Sequence, residues 1–442
     1  MSLKTIYALA SGFGLSGIAV IRISGSNAGA ALRALTKNKL PTPRRAVMSD
    51  FINPADGSLL DKGLAIWFPE PHSFTGENIA ELHVHGGRSV VSSLLKALSS
   101  CEGLRLAEPG EFSRRAFENN KFDLTAVEAL ADLINAETEH QQRQALRQMQ
   151  GELGLLYESW RRILLEIIVQ LEATIDFSDE DLPHDLERKA DESIKNLFHE
   201  ISSHLKDGRR GEILRCGVHA AIIGPPNSGK SSFLNLLTRR NTAIVSDVPG
   251  TTRDVIETRL DIGGYPVVIV DTAGLRDGGD EIEKEGIQRA KDKAQNADLK
   301  IAIFDVMQGP DPYTYDFIDK NTMVIANKID IGPHKTPDEI KGHLPWRISL
   351  LTGDGIEEML EGLENEIERR CHLSAAPLLT QARHRASLED CRNALERFNQ
   401  EAAIELQAEE LRLAVRALGR ITGRVDVEDI LDEIFHDFCI GK

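Results

Sequence analysis

The chain has 442 residues, enough for three domains at about 100 to 200 residues each. Hydrophobic residues make up 41% and charged ones 27%, an ordinary globular balance, and no apolar run is long enough to span a membrane. Against 69 acidic side chains stand 52 basic ones, a net charge of −17. That charge excludes a general attraction to nucleic acid, so any RNA must be met by a local basic patch or by a partner.

The first residues, M-S-L-K-T-I-Y-A-L-A-S-G, show no long hydrophobic region with a cleavage site behind it, and the expected location is cytoplasmic. Residues 1–118 read as mixed α/β. The run G-I-A-V-I-R-I-S-G at 17–25 is β-branched and closed by glycine, and I-A-E-L-H-V-H-G-G at 79–87 alternates with period two. The stretch at 90–98 is helical.

From 119 to 215 long helix takes over. Trp160, Ile163, Leu164, Ile167, Ile168 and Leu171 follow the i, i+3, i+4, i+7 series of one helical face, in a segment without Gly or Pro from 155 to 182. They read as packing residues. Residues 216–374 change again: V-H-A-A-I-I-G at 218–224 is a buried strand running into a glycine-rich loop, and strand-like runs recur at 266–270, 299–304 and 322–326 between helices. This is the pattern of a doubly wound parallel sheet. Helix returns over 375–442, so the economical arrangement is one discontinuous all-α domain, 119–215 with 375–442, into which the α/β unit is inserted.

The inserted unit carries the strongest motif. G-P-P-N-S-G-K-S matches GxxxxGK[ST], with Gly224, Asn227, Ser228, Gly229, Lys230, Ser231 and Ser232 as candidate phosphate-binding residues. The loop amides suit phosphate oxygens, Lys230 the terminal phosphates, and the Ser231 hydroxyl Mg²⁺. After the strand V-V-I-V comes D-T-A-G, Asp271, Thr272, Ala273 and Gly274, which offers a carboxylate near the metal and an amide near the γ-phosphate. N-K-I-D follows M-V-I-A. Its Asp330 can accept two hydrogen bonds from a guanine edge, while Asn327 and Lys328 complete the motif and Ser349 and Leu350 lie where a base-contacting loop belongs. Four motifs in this order predict a Ras-like P-loop GTPase domain that binds GTP.

The hydrolytic residues depart from the Ras pattern. Leu275 stands where a water-orienting Gln is expected, so catalysis must come from elsewhere. A monovalent cation is one candidate, with the Asn227 side chain and the carbonyl-rich loop S-D-V-P-G-T-T-R-D, 246–254, around K⁺. Glu283, in G-G-D-E-I-E-K-E, is the candidate to orient the water; on sequence alone it equally suits a solvated acidic face.

The five cysteines, Cys101, Cys216, Cys371, Cys391 and Cys439, are scattered and form neither CxxC pairs nor Cys/His clusters. Cys439 lies fourth from the end, but Gly441 and Lys442 do not suit a prenylation motif. It is either an incidental thiol or a working one.

The P-loop with its Asn, P-G-T-T-R-D, D-T-A-G-L-R, T-G-E-N-I-A-E-L-H-V-H-G-G, P-G-E-F-S-R-R-A-F and the terminal F-C-I-G-K resemble, over essentially the full length, the MnmE or TrmE family of tRNA-modification GTPases. The resemblance implies an N-terminal α/β domain that binds a tetrahydrofolate derivative, 5-formyl- or 5,10-methylene-tetrahydrofolate, and forms a homodimer. Arg22, Glu81 and Lys121 match the folate contacts, with Lys442 approaching the same pocket. Ser231 and Thr252 match the Mg²⁺ ligands; Asn227, Ser246, Val248 and Thr251 match the K⁺ loop. Cys439 then becomes a candidate nucleophile or redox participant beside the folate. The family's partner is the flavoprotein MnmG, or GidA, in a heterotetramer, and its substrate is the wobble uridine of certain tRNAs. The competing expectation is a ribosome-assembly switch of the Era/Der kind; it needs a basic RNA-binding module that no segment supplies. A scaffold with a vestigial folate module is the other, and it has no use for the Cys-Ile-Gly-Lys ending.

Overall fold

A computed structural model describes residues 4–176, 185–243, 257–271, 294–332, 337–371, 378–398 and 403–425, with 431, 434, 435, 438 and 441. The chain divides into two units: residues 1–131, 149–161 and 418–442 form unit 1, and residues 132–148 and 162–417 form unit 2.

Unit 1 is built on alternation. In β1 (Thr5–Leu9), Tyr7 and Leu9 face one way and Ile6 and Ala8 the other, and both sets are buried, so the strand must be covered on both faces. It joins β2 (Ser16–Ser24), β3 (Val47–Ile52), β4 (Leu59–Phe68), β5 (Ile79–Gly86) and β6 (Leu104–Leu106) in a six-stranded sheet of order β3-β4-β5-β2-β1-β6. Only the β1–β6 pair is parallel. Helices α1 (Ala28–Thr36) and α2 (Arg88–Ser99) cover one face through Leu32, Leu35, Leu94 and Leu98. On the other, Phe112 from α3 (Glu111–Glu118) packs with Ile6 and Ala8. At the C-terminal end of the chain, Leu431, Phe435 and Phe438 bury against Leu124 and Val127 at the start of α4 (Leu124–Asn135).

In unit 2, α5 (Glu139–Met149), the remainder of α6 (Glu152–Asp176), whose residues to 161 belong to unit 1, and α7 (Asp185–Cys216) lead to a seven-stranded sheet. Its strands are β7 (Val218–Ile223), β8 (Thr242–Ala243), β9 (Glu257–Ile262), β10 (Tyr265–Asp271), β11 (Leu299–Asp305), β12 (Thr322–Asn327) and β13 (Trp346–Arg347), in the order β13-β12-β11-β7-β10-β9-β8. The central pairs are parallel and β9 is antiparallel to β8 and β10. One face packs against Phe233 and Leu237 of α8 (Lys230–Arg240) and Met359, Leu363 and Ile367 of α10 (Ile356–Cys371). The other buries Ala221, Ile223, Ala302, Phe304, Val324 and Ala326 with Ile318, which follows α9 (Pro312–Phe317). This is the doubly wound sheet the sequence predicts. The stripe from Trp160 to Leu171 is likewise buried, Ile163 only partly.

Helix α11 (Ala382–Arg397) packs on α7, where Arg385 donates to Glu212 at 2.8 Å; α12 (Ile404–Thr422) follows it. Among the described residues no helix is long and apolar enough to cross a membrane.

Candidate functional site

The nucleotide loop follows from the strand before it. Buried β7 ends at Ile223, and Gly224 turns the chain at φ 155°, a conformation L side chains rarely adopt. A Cβ there would also collide with the Ile303 carbonyl. Asn227 at φ 59° and Gly229 at φ 105° continue the left-handed turns that aim successive amides inward, and α8 begins at Lys230, so a helix N-terminus faces the same space. Lys230 Nζ reaches back to the carbonyls of Gly224 and Pro225, 2.8 Å each. Ser231 and Ser232 are exposed on the first turn, and Asn227 is exposed beside them. Ser228 is 1% exposed and its Oγ has no partner among the described residues, an orphaned donor inside the loop that suits a phosphate oxygen.

The N-K-I-D segment is held by Asn327, 3% exposed at the end of β12. Its Nδ2 donates to the Ser228 carbonyl at 2.8 Å and its Oδ1 accepts from the Leu350 amide at 3.1 Å, so one side chain ties the glycine-rich loop to the segment from Ser349 to Leu351. Ser349, fully buried, donates to Asp330 at 2.6 Å and accepts from the amides of Leu351 and Thr352. Asp330 is thereby fixed with its carboxylate exposed. Lys328, at φ 69°, donates to Asp305 at 3.0 Å. Burial opposes ionisation of Asp305, but the Met307 amide and the Lys328 ammonium outweigh it and hold the carboxyl below its ordinary range. Sequence reasoning missed Asp305; its signal was a carboxylate ending the buried run of β11, one strand from Asn327.

Asp271 closes β10, on the strand beside the P-loop strand, and only its backbone is described. Ser246, Val248, Thr251, Thr252, Thr272, Ala273, Gly274, Leu275, Glu283, Cys439 and Lys442 lie outside the described residues.

In unit 1, Arg22 and Glu81 face each other across β2 and β5, and their side chains bond directly, at 3.0 Å from Nε and 2.9 Å from Nη2. Glu81 also lies 3.4 Å from His83. The guanidinium sits over the rings of Phe74 and Phe112, at 5.1 and 5.8 Å, and Phe74 packs against Phe122. Lys121 does not join the pair; its ammonium donates to the Pro71 carbonyl. These aromatic neighbours escaped the sequence reading because they come from separate loops and helices.

Beside them lies a denser network. Arg115, 2% exposed, binds Glu77, Glu111 and the Lys4 carbonyl. Burial pushes the Glu111 carboxyl up, but bonds from Arg105, the Glu108 amide and Arg115 outweigh it, leaving it below the usual range. The end of the chain comes to the same sheet. Gly441, buried at φ 101°, sits so close to the end of β1 that a Cβ would collide with the Leu9 carbonyl, and Leu9 pairs with Ile21, the neighbour of Arg22. Of the remaining thiols, burial pushes Cys371 and Cys391 up to about 12.

Comparison with known proteins adds independent findings. The family described as "MnmE helical domain" matches residues 124–439, and "GTP-binding protein TrmE N-terminus" matches residues 5–121. The tRNA modification GTPase MnmE of Parvibaculum lavamentivorans is 53% identical over 446 residues, covering 100% of both chains. That of Paramagnetospirillum magneticum is 52% identical over 441 residues, 99% of this chain and 100% of its own. The human mitochondrial 5-taurinomethyluridine tRNA synthase subunit GTPB3 is 46% identical over 461 residues, covering 99% of this chain and 93% of its own.

Proposed function

Since this chain belongs to the MnmE family of tRNA modification GTPases, we propose that it is a K⁺-stimulated GTP hydrolase. We infer that it joins a flavoprotein partner of the MnmG/GidA kind to install an aminomethyl or carboxymethylaminomethyl group at C5 of a tRNA wobble uridine. A tetrahydrofolate derivative provides the one-carbon unit. In this reading GTP hydrolysis cycles the assembly between states and does not itself modify the base.

The roles divide by unit. Gly224 to Ser232 hold the phosphates, Asp330 reads guanine, Ser231 and Thr252 ligate Mg²⁺, and Asn227, Ser246, Val248 and Thr251 hold K⁺, whose charge does the work of an arginine finger. Glu283 orients the water. In unit 1, the residues 1–118 bind folate and dimerise, with Arg22, Glu81 and Lys121 as contacts; Cys439 and Lys442 act from the tail. The residues present fit a folate: an aromatic-lined cation and a carboxylate suit an acidic tail and a ring rich in donors. Binding requires the Arg22–Glu81 bond to open or be shared.

One observation carries the folate reading: Gly441 packs on the end of β1 beside the strand bearing Arg22. Calorimetric titration with 5-formyl-tetrahydrofolate tests it, comparing the full chain with a form lacking residues 439–442. Saturable binding, weakened by the truncation, is expected. Absence of binding to either form removes the one-carbon chemistry and leaves the GTPase switch.

A further inference from the structure

Unit 2 contains a cavity of about 330 Å³ that the guanine-nucleotide reading does not use. It lies by His219, near the start of β7, whereas the phosphate loop leaves the other end of that strand, roughly 20 Å away at about 3.3 Å per residue. Ala145, Leu214 and Val268 supply apolar wall. At the rim Arg215 bonds Asp132 at 2.7 Å and Arg259 bonds Glu137 at 3.2 Å, so the charges answer one another and the interior is neutral.

Three carboxamides from α5 line this space, and Gln141 is already bonded, to the Arg215 carbonyl at 2.9 Å and to the amides of Glu137 and Thr138. Gln148, 2% exposed, accepts from Thr380 at 3.0 Å. Gln144 is 7% exposed and its Oε1 has no hydrogen-bond partner among the described residues. A buried acceptor left unmet costs about 1–3 kcal/mol, a cost that Leu or Met at this position would avoid. A built acceptor facing a neutral cavity therefore points to a ligand.

Size and edge chemistry narrow its class. A cavity of about 150 Å³ takes benzene, so one about twice as large takes a fused bicycle. A glutamine carboxamide offers an acceptor and a donor side by side, the edge that pairs with the amino group and ring nitrogen of adenine. We propose that this cavity is a second ligand site, taking a neutral adenine-type purine whose amino edge meets Gln144 and whose faces lie against Leu214 and Val268. The proposal stands apart from the folate and K⁺ readings. Adenine lacks the guanine edge that Asp330 recognises, so the two sites do not compete.

Adenine and adenosine are the probes, titrated into the full chain with saturating GDP and followed by calorimetry and saturation-transfer NMR. Saturable binding at one equivalent is expected, unchanged in Lys230→Ala and weakened about tenfold or more in Gln144→Leu. Gln144→Glu, which keeps the acceptor and replaces the amide donor with charge, also weakens it and covers the case in which the Leu variant fails to fold. Failure to saturate by about 5 mM, or equal binding by wild type and both variants, overturns the proposal and leaves water as the partner of Gln144.

Discussion

The nucleotide loop and the ion-pair cluster of unit 1 both gather polar groups, by opposite means. In the loop the backbone is the reagent: Gly224, Asn227 and Gly229 hold positive φ, and Asn327 spends its side chain on the Ser228 carbonyl and the Leu350 amide. In unit 1 side chains satisfy side chains, Arg22 with Glu81 and Arg115 with Glu77 and Glu111. A backbone-made site dictates residue types at short fixed spacing and so leaves a motif. A side-chain-made site recruits across the fold, here 59 and 38 residues apart, and leaves none.

The largest expected effect breaks the side-chain site. Arg115→Met strands half-buried Glu77 and takes one of two guanidinium partners from buried Glu111, which keeps Arg105, and denaturant unfolding should report a loss of about 3 kcal/mol in unit 1. A loss below about 1 kcal/mol would mean the network is solvated and the contrast drawn here is false. The backbone site is broken by one methyl. Gly224→Ala forces a φ that costs about 1–3 kcal/mol, so a fluorescent-GDP titration should show affinity down about 5- to 150-fold with the circular dichroism unchanged.

A third prediction concerns the scaffold that carries neither site. Burial on α7, helped by His384 and opposed by Asp207, drives the His204 imidazole down to about 4 from its ordinary 6.5. Between those values the unfolded chain binds the extra proton, so stability rises with pH across the window and falls as pH drops through 6.5 toward 4. At pH 5 the chain should be about 2 kcal/mol less stable than at pH 8, and His204→Phe should flatten that slope in melting scans. A wild-type slope in the variant would assign the acid sensitivity elsewhere.

The same contrast explains what was legible in the sequence. Strand β12 and the stretch of β11 from Ile301 to Phe304 are apolar runs bounded by polar residues, and the P-loop motif fixes its own fold. Strands β3 and β4 expose many of their residues, including Val47, Met48 and Leu59, and blur the alternation that would announce them. Helix α5, E-H-Q-Q-R-Q-A-L-R-Q-M, has no apolar stripe to find. Arg22 and Glu81 could be proposed only by resemblance, because their contact depends on the β2–β5 register, which no local pattern sets. Lys328 was found by its motif; Asp305, which holds it, belongs to another strand.

The smallest expected effect bears on the least legible residues. Arg22 and Glu81 are partly exposed, 21% and 15%, so their bond contributes about 0.5–1 kcal/mol to stability and Glu81→Gln should barely move the melting temperature. Folate affinity is a separate quantity: at the proposed site the carboxylate is assigned to ligand donors, and its loss is expected to cost about tenfold. Arg22→Lys sharpens the point: it keeps the charge but loses the planar fork and the stacking on Phe74, so it should weaken folate binding as Glu81→Gln does while leaving the protein folded. A double variant no worse than either single one would show that the two residues act on the ligand as one unit. If stability alone responds, the pair is scaffold, and a folate bound by this chain must be held by residues other than these.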